Sequence, residues 1–117
     1  MRGNRDKGRN AAARPELITI YWRDIPAQVT ARAGRRKASV QLHSRFQIAV
    51  DRAAVKANKK TTNEYLAEWR RESKPCSDDL QAEVDAAVEN LESTYTKDVL
   101  KRLVAAGGID ETQGDLA

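Results

Sequence analysis

The stretch AQVTARAGRRKASVQL, residues 27–42, decides the fold. Ala27, Val29, Ala31 and Ala33 alternate with Gln28, Thr30 and Arg32, and Ala38, Val40 and Leu42 alternate with Ser39 and Gln41. A period of two places each apolar set on one face of a pleated strand. Gly34-Arg35-Arg36-Lys37 separates the runs, with a glycine free to take positive φ, so the pattern predicts a hairpin over about 27–42. Upstream, Ile18, Ile20 and Trp22 alternate with Thr19 and Tyr21, and β-branched and aromatic residues favour a strand. Asp24-Ile25-Pro26 interrupts it, since proline offers no ladder N–H. The expectation is a three-stranded antiparallel sheet with one wet face.

Beyond Leu42 the period changes. Phe46, Ala49, Val50, Ala53 and Ala57 recur three or four apart, predicting a helix over about 43–58. Thr61 and Glu64 have the spacing of a capping box and open a short helix through Trp69, anchored by Tyr65 and Leu66 and stopped by Lys74-Pro75. Ser77-Asp78-Asp79 is a helix start. Leu80, Val84, Val88, Leu91, Tyr95, Val99 and Leu103 then form one apolar stripe ending at Gly107-Gly108. As a single helix it would be about 40 Å long, roughly twice the span of a short sheet, so part of the stripe is expected to overhang and meet a partner. The fold class is therefore α+β, the sheet covered on one face by three helices, the last one long.

At 117 residues, the chain has room for one domain, expected over 16–106. Residues 1–15 read as a disordered basic tail and 107–117 as a frayed acidic one. The net charge of +4 belongs to the first of these, where Arg2, Arg5, Lys7, Arg9 and Arg14 face only Asp6; the remaining residues balance. With six aromatic residues and alanine as filler, each aromatic carries a large share of the core. A single cysteine, Cys76, excludes an internal disulfide framework, and no apolar run approaches the roughly 18 residues of a membrane span. The expected compartment is the cytoplasm.

The segments ELITIYWRDIPAQV, FQIAVDRAA, EYLAEWRR and PCSDD resemble a small, mainly alphaproteobacterial family labelled "virulence factor". The resemblance runs over about residues 16–105, and Trp22-Arg23-Asp24-Ile25-Pro26-Ala27-Gln28-Val29 is its most distinctive part. It implies an accessory role beside corrinoid- and folate-dependent methyl-transfer proteins. It carries over no catalytic residue.

Each constellation has a plain structural use beside a functional one. Trp22, Arg23, Asp24 and Ile25 could form a recognition loop at the sheet edge, or a buried tryptophan beside a turn-fixing aspartate. Val88, Leu91 and Tyr95 lie where the stripe would overhang. Arg32, Arg35, Arg36 and Lys37 make a cationic hairpin tip, suited to nucleic acid or simply to solvent. Cys76 precedes a helix start, where a dipole activates a thiol, but Asp78 and Asp79 oppose that. One Cys and one His43 fall short of a zinc site. Glu64/Glu68 and Asp78/Asp79 are carboxylate pairs with helix-stabilising explanations. Trp69-Arg70-Arg71 could stack an arginine on the indole.

No motif calls for a cofactor or metal. The reading is a non-catalytic accessory or protein-interaction domain with a protein partner, a methyl-transfer or corrinoid protein by the resemblance. The alternative is a nucleic-acid binder using the hairpin tip, and self-association is a further partner option.

Overall fold

A computed structural model describes residues 14–59 and 61–110; the basic residues before Arg14 and the end of the acidic tail lie outside the described residues. Four strands form one antiparallel sheet in the order β3-β2-β1-β4: β1 Glu16–Trp22, β2 Ile25–Ala33, β3 Arg36–Gln41 and β4 Trp69–Pro75. Four helices accompany it: α1 Ser44–Lys56, α2 Thr62–Ala67, α3 Leu80–Thr94 and α4 Lys97–Ala105. The class is α+β, as the patterns require, with one strand and one helix more than expected.

The hairpin has the expected register. Val29 pairs with Val40, Ala31 with Ala38 and Ala33 with Arg36, and Gly34 takes the left-handed conformation in the turn at φ 63°. Leu17 and Thr19 of β1 pair with Ala31 and Val29, and so share the face that carries the core. Ile18 and Ile20 point to the other face, alongside Gln28, Thr30, Ser39 and Gln41. There Ser39 Oγ accepts from Gln28 Nε2 and shares a hydrogen bond with Thr30 Oγ1, both at 2.8 Å. A register shift between Ile20 and Tyr21 lets Trp22 pair with Ile25, and both side chains are fully buried.

Residues 69–75 correct the expectation of a helix running through Trp69. α2 ends at Ala67 because Glu68 caps it, and the chain then pairs with β1 along its whole length, Trp22 opposite Trp69 and Glu16 opposite Pro75. Trp69 is half-buried and every other residue of the strand is exposed, so this edge strand carries no apolar alternation to betray it.

The long helix is corrected too. It breaks after Thr94, and Thr96 starts α4 by accepting from the Val99 N–H, with Asp98 in the first turn. Tyr95 and Val99 keep the apolar spacing across the break, so the stripe folds back into the domain instead of overhanging it. α4 lies beside α1 and runs parallel to it. Arg45 at the start of α1 donates to the Glu92 and Tyr95 carbonyls at 2.7 and 3.2 Å, and Ala57 beyond its end lies so near Gly107 that a side chain added there would press on it. α4 closes on Gly107 and Gly108, both at positive φ. Their N–H groups return to Val104 and Leu103, the paired bonds of a Schellman ending.

α3 packs across β2 and β3 on the core face. The core joins Val29, Ala31 and Leu17 of the sheet to Val84 of α3, Phe46, Val50 and Ala53 of α1, and Leu100 and Leu103 of α4. No helix among the described residues is long and apolar enough to cross a membrane.

Candidate functional site

The turn Trp22-Arg23-Asp24 between β1 and β2 gathers a dense set of polar contacts among the described residues. Arg23 sits at φ 53°, a conformation costly for a non-glycine residue. The site over-determines it. Its N–H donates to the Glu68 carbonyl at 3.1 Å, its side chain to the Gly107 carbonyl at 3.1 Å, and its Nε lies 3.2 Å from Glu68 Oε1. Lys59 reaches the other Glu68 oxygen at 3.4 Å. The hydrogen bond from Arg23 holds the Glu68 carboxyl below its ordinary pKa, against a smaller opposing effect of burial.

Asp24 ties the turn to the chain beyond α4. Its N–H donates to the Gly108 carbonyl at 2.8 Å, and its Oδ2 accepts from the Asp110 N–H at 2.6 Å. Its Oδ1 lies 3.1 Å from Arg70, whose Nε also donates to the Arg23 carbonyl at 2.7 Å and which is paired with Glu72. Residues 107–110, assigned from sequence to the C-terminal tail, are thus bonded to the sheet. Trp22 donates its indole N–H to the Tyr65 carbonyl at 2.9 Å and stacks on the Tyr65 ring, which meets Trp69 edge-on. Arg70 stacks on Tyr21, 4.4 Å from the ring centre, rather than on Trp69.

The structure brings Trp22, Arg23, Asp24 and Ile25 together as one knot, but Trp22 and Ile25 are inside the core, so the knot presents only Arg23, Asp24 and their partners to solvent. Val88, Leu91 and Tyr95 are half-buried against the core. Arg32 pairs with Glu16 at 3.6 Å and Arg36 donates to the Asp78 carbonyl at 3.3 Å, while Arg35 and Lys37 are exposed. Burial, then Glu83 and Glu16, push the Cys76 thiol up, opposite to what a nucleophile needs. Asp79 caps α3, accepting from Ala82, and Glu64 completes the capping box with Thr61, so these carboxylates serve helix ends. No group of three His, Cys, Asp or Glu among the described residues is placed to hold a metal.

Because α3 covers β2 and β3, the β1–β4 half of the same face lies open beside it. The resulting groove, about 420 Å³, has Leu17, Thr19 and Tyr21 along its floor, Glu72 and Lys74 of β4 on one side, and Ala87, Asn90 and Leu91 of α3 on the other. Burial, helped by Tyr95 and Glu72 and opposed by Arg70, pushes the Tyr21 phenol up to about 12. Tyr95 is raised by burial and by Asp110 and Asp24, so both phenols stay protonated hydrogen-bond donors.

Sequence reading missed this groove and most of the knot's partners. Glu72 and Lys74 were hidden in a stretch read as helix end, and Glu68, Arg70, Gly107, Gly108 and Asp110 lie 45 or more residues from the turn. Only the paired glycines were a visible signal.

The profile of the virulence factor family matches residues 20–104, most of the folded chain. The chain belongs to that family. The match begins inside β1 and ends within α4, so it takes in the Trp22–Ile25 turn, the hairpin and α3, but neither Leu17 and Thr19 of the groove floor nor Gly107, Gly108 and Asp110. No curated protein and no solved structure matches the chain.

Proposed function

We propose that this virulence factor domain is a non-catalytic accessory domain that holds one helix of a protein partner in the groove between α3 and the β1–β4 half of the sheet. The observation behind it is the half-covered sheet face. α3 occupies the place of one helix over β2 and β3, and a second helix laid beside it would cover the half-buried Thr19, Tyr21, Ala87 and Leu91 and complete the layer. Lys74, Glu72 and Asn90 along the rim would set its orientation. The use left to the knot is then positional: Arg70 and Asp24 hold Tyr21 and β4 at the groove's end. The partner implied by the family resemblance is a corrinoid- or folate-dependent methyl-transfer protein.

The test is titration calorimetry of the purified full chain against a purified corrinoid methyl-transfer protein. Leu91→Asp is expected to weaken the complex at least tenfold, with Arg35→Ala unaffected. Binding indifferent to Leu91→Asp would move the interface off the groove, and no complex at all would remove the methyl-transfer partner.

A second reading has its own observation. The register brings Arg14 and Lys74 to the same end of the sheet as Arg32, Arg35, Arg36 and Lys37, enlarging the cationic tip. A nucleic-acid role there predicts binding to a duplex that falls steeply with salt and is lost on alanine replacement of Arg35, Arg36 and Lys37 together.

A further inference from the structure

On the side of the domain formed by α1 and α4, a groove of about 390 Å³ runs between the two parallel helices. Ile48, Ala49, Leu100 and Val104 supply its apolar surface, and Arg45, Arg52, Lys97 and Lys101 stand around it; no carboxylate lines it. Ile48 is 49% exposed, and Val55, two turns further along α1, is 74% exposed. Arg52, Lys97 and Lys101 are exposed and make no ion pair among the described residues. Cations clustered without counter-charges beside exposed apolar groups repel one another and leave apolar surface wet, so an occupant must bring carboxylates and small apolar contacts together.

The chain contains such a surface. α3, LQAEVDAAVENLEST, has four acidic residues and no basic one. Glu83 and Glu92 are engaged at backbone N–H groups of Ser77 and His43. Asp85 and Glu89 face solvent one turn apart, flanked by exposed Ala82 and Ala86. That spacing, about 6 Å along the axis, is also the spacing of Lys97 and Lys101 on α4. The small Ala82 and Ala86 leave room for Ile48 and Val55 to approach the helix backbone, as ridges enter grooves where helices pack.

We infer that the α1–α4 groove receives the Ala82–Glu89 ridge of α3 from a second copy of this chain, with Asp85 and Glu89 against Lys97, Lys101 and Arg52. The ridge adjoins the α3–β4 groove, whose lining includes Ala86, but Asp85 and Glu89 lie outside that lining, so their reversal reports on this contact. Each copy carries both halves of the contact, so a two-fold pair would make it twice.

Sedimentation of the full chain over a hundredfold range of concentration tests it. Self-association is expected, weakening as salt rises because the paired charges are exposed. The reversal Lys97→Glu with Lys101→Glu, and separately Asp85→Lys with Glu89→Lys, is each expected to weaken it at least tenfold. Mixing the two variants should restore a heterodimer, since the unaltered groove meets the unaltered ridge and the two reversed halves again carry opposite charges. All four positions are exposed, and circular dichroism verifies that the variants fold. A monomer at every concentration, an oligomer indifferent to both reversals, or no recovery on mixing would overturn the proposal. Binding of a monomer to anionic phospholipid vesicles through Lys97 and Lys101 would overturn it as well, assigning the groove to a membrane surface.

Discussion

Two turns, Arg23-Asp24 and Gly34-Arg35, sit at opposite ends of the sheet, and each combines an arginine with one residue at positive φ, Arg23 itself in the first and Gly34 in the second. At the first, every charged group has a partner drawn from a distant part of the chain: Glu68 and Arg70 around β4, Gly107, Gly108 and Asp110 after α4. At the second, Arg35 and Lys37 stand in water and the turn is specified by Gly34 and its hairpin register alone. The same residue types thus serve architecture where the fold supplies partners, and remain available to a ligand where it does not. Charge content by itself does not separate the two uses.

The sharpest way to break this contrast is to remove Trp22 from the knot. Trp22→Ala empties a fully buried site and removes one of two donors to the Tyr65 carbonyl, with an expected loss of about 3–5 kcal/mol in urea unfolding. A loss comparable to that of a surface substitution would mean the knot does not organise the core.

Next comes Asp24→Ala, which leaves the Asp110 N–H and Arg70 without their shared acceptor and is expected to cost about 1–3 kcal/mol. Its second readout is amide exchange at Gly108 and Asp110, which should quicken; unchanged protection would show that the segment after α4 is held by other means.

A smaller effect is expected from acid. The folded pKa of Glu68 is depressed, so its contribution is full above the ordinary value of 4.5 and is lost as pH falls through the lower folded value. Glu68 is partly exposed, which limits the gain to about 1 kcal/mol. Glu68→Gln should therefore be less stable than the parent at neutral pH, with the gap closing as the solution is acidified below 4.5. A constant gap would exclude the linkage.

The least effect belongs to the other turn. Arg35→Ala with Lys37→Ala should change stability by less than about 0.5 kcal/mol. A larger loss would make the tip structural and erase the contrast.

What the sequence revealed follows from the same physics. β1, β2, β3 and α1 were legible because one side of each faces apolar neighbours, so burial imprints a period of two or 3.6. β4 left no imprint, since six of its seven residues are exposed and its place is set by the free edge of β1 rather than by its own pattern. The break at Thr94–Lys97 was masked because Tyr95 and Val99 stay packed on the core through the turn, and the capping Thr96 was the one clue. The knot was visible as an unusual segment, but the groove was not, because its β4 wall belongs to the strand that pattern could not see.

The late position of β4 in the chain has a consequence for synthesis. β1 finds β2 and β3 within about twenty-five residues, but its other edge waits until Trp69–Pro75 has left the ribosome, some fifty residues later. Until then Ile18 and Ile20 lie on a strand with an unsatisfied ladder, the exposure that invites pairing between neighbouring nascent chains. β4 ends that interval and replaces the apolar edge with Arg70, Arg71, Glu72 and Lys74, charges that discourage any further strand from joining.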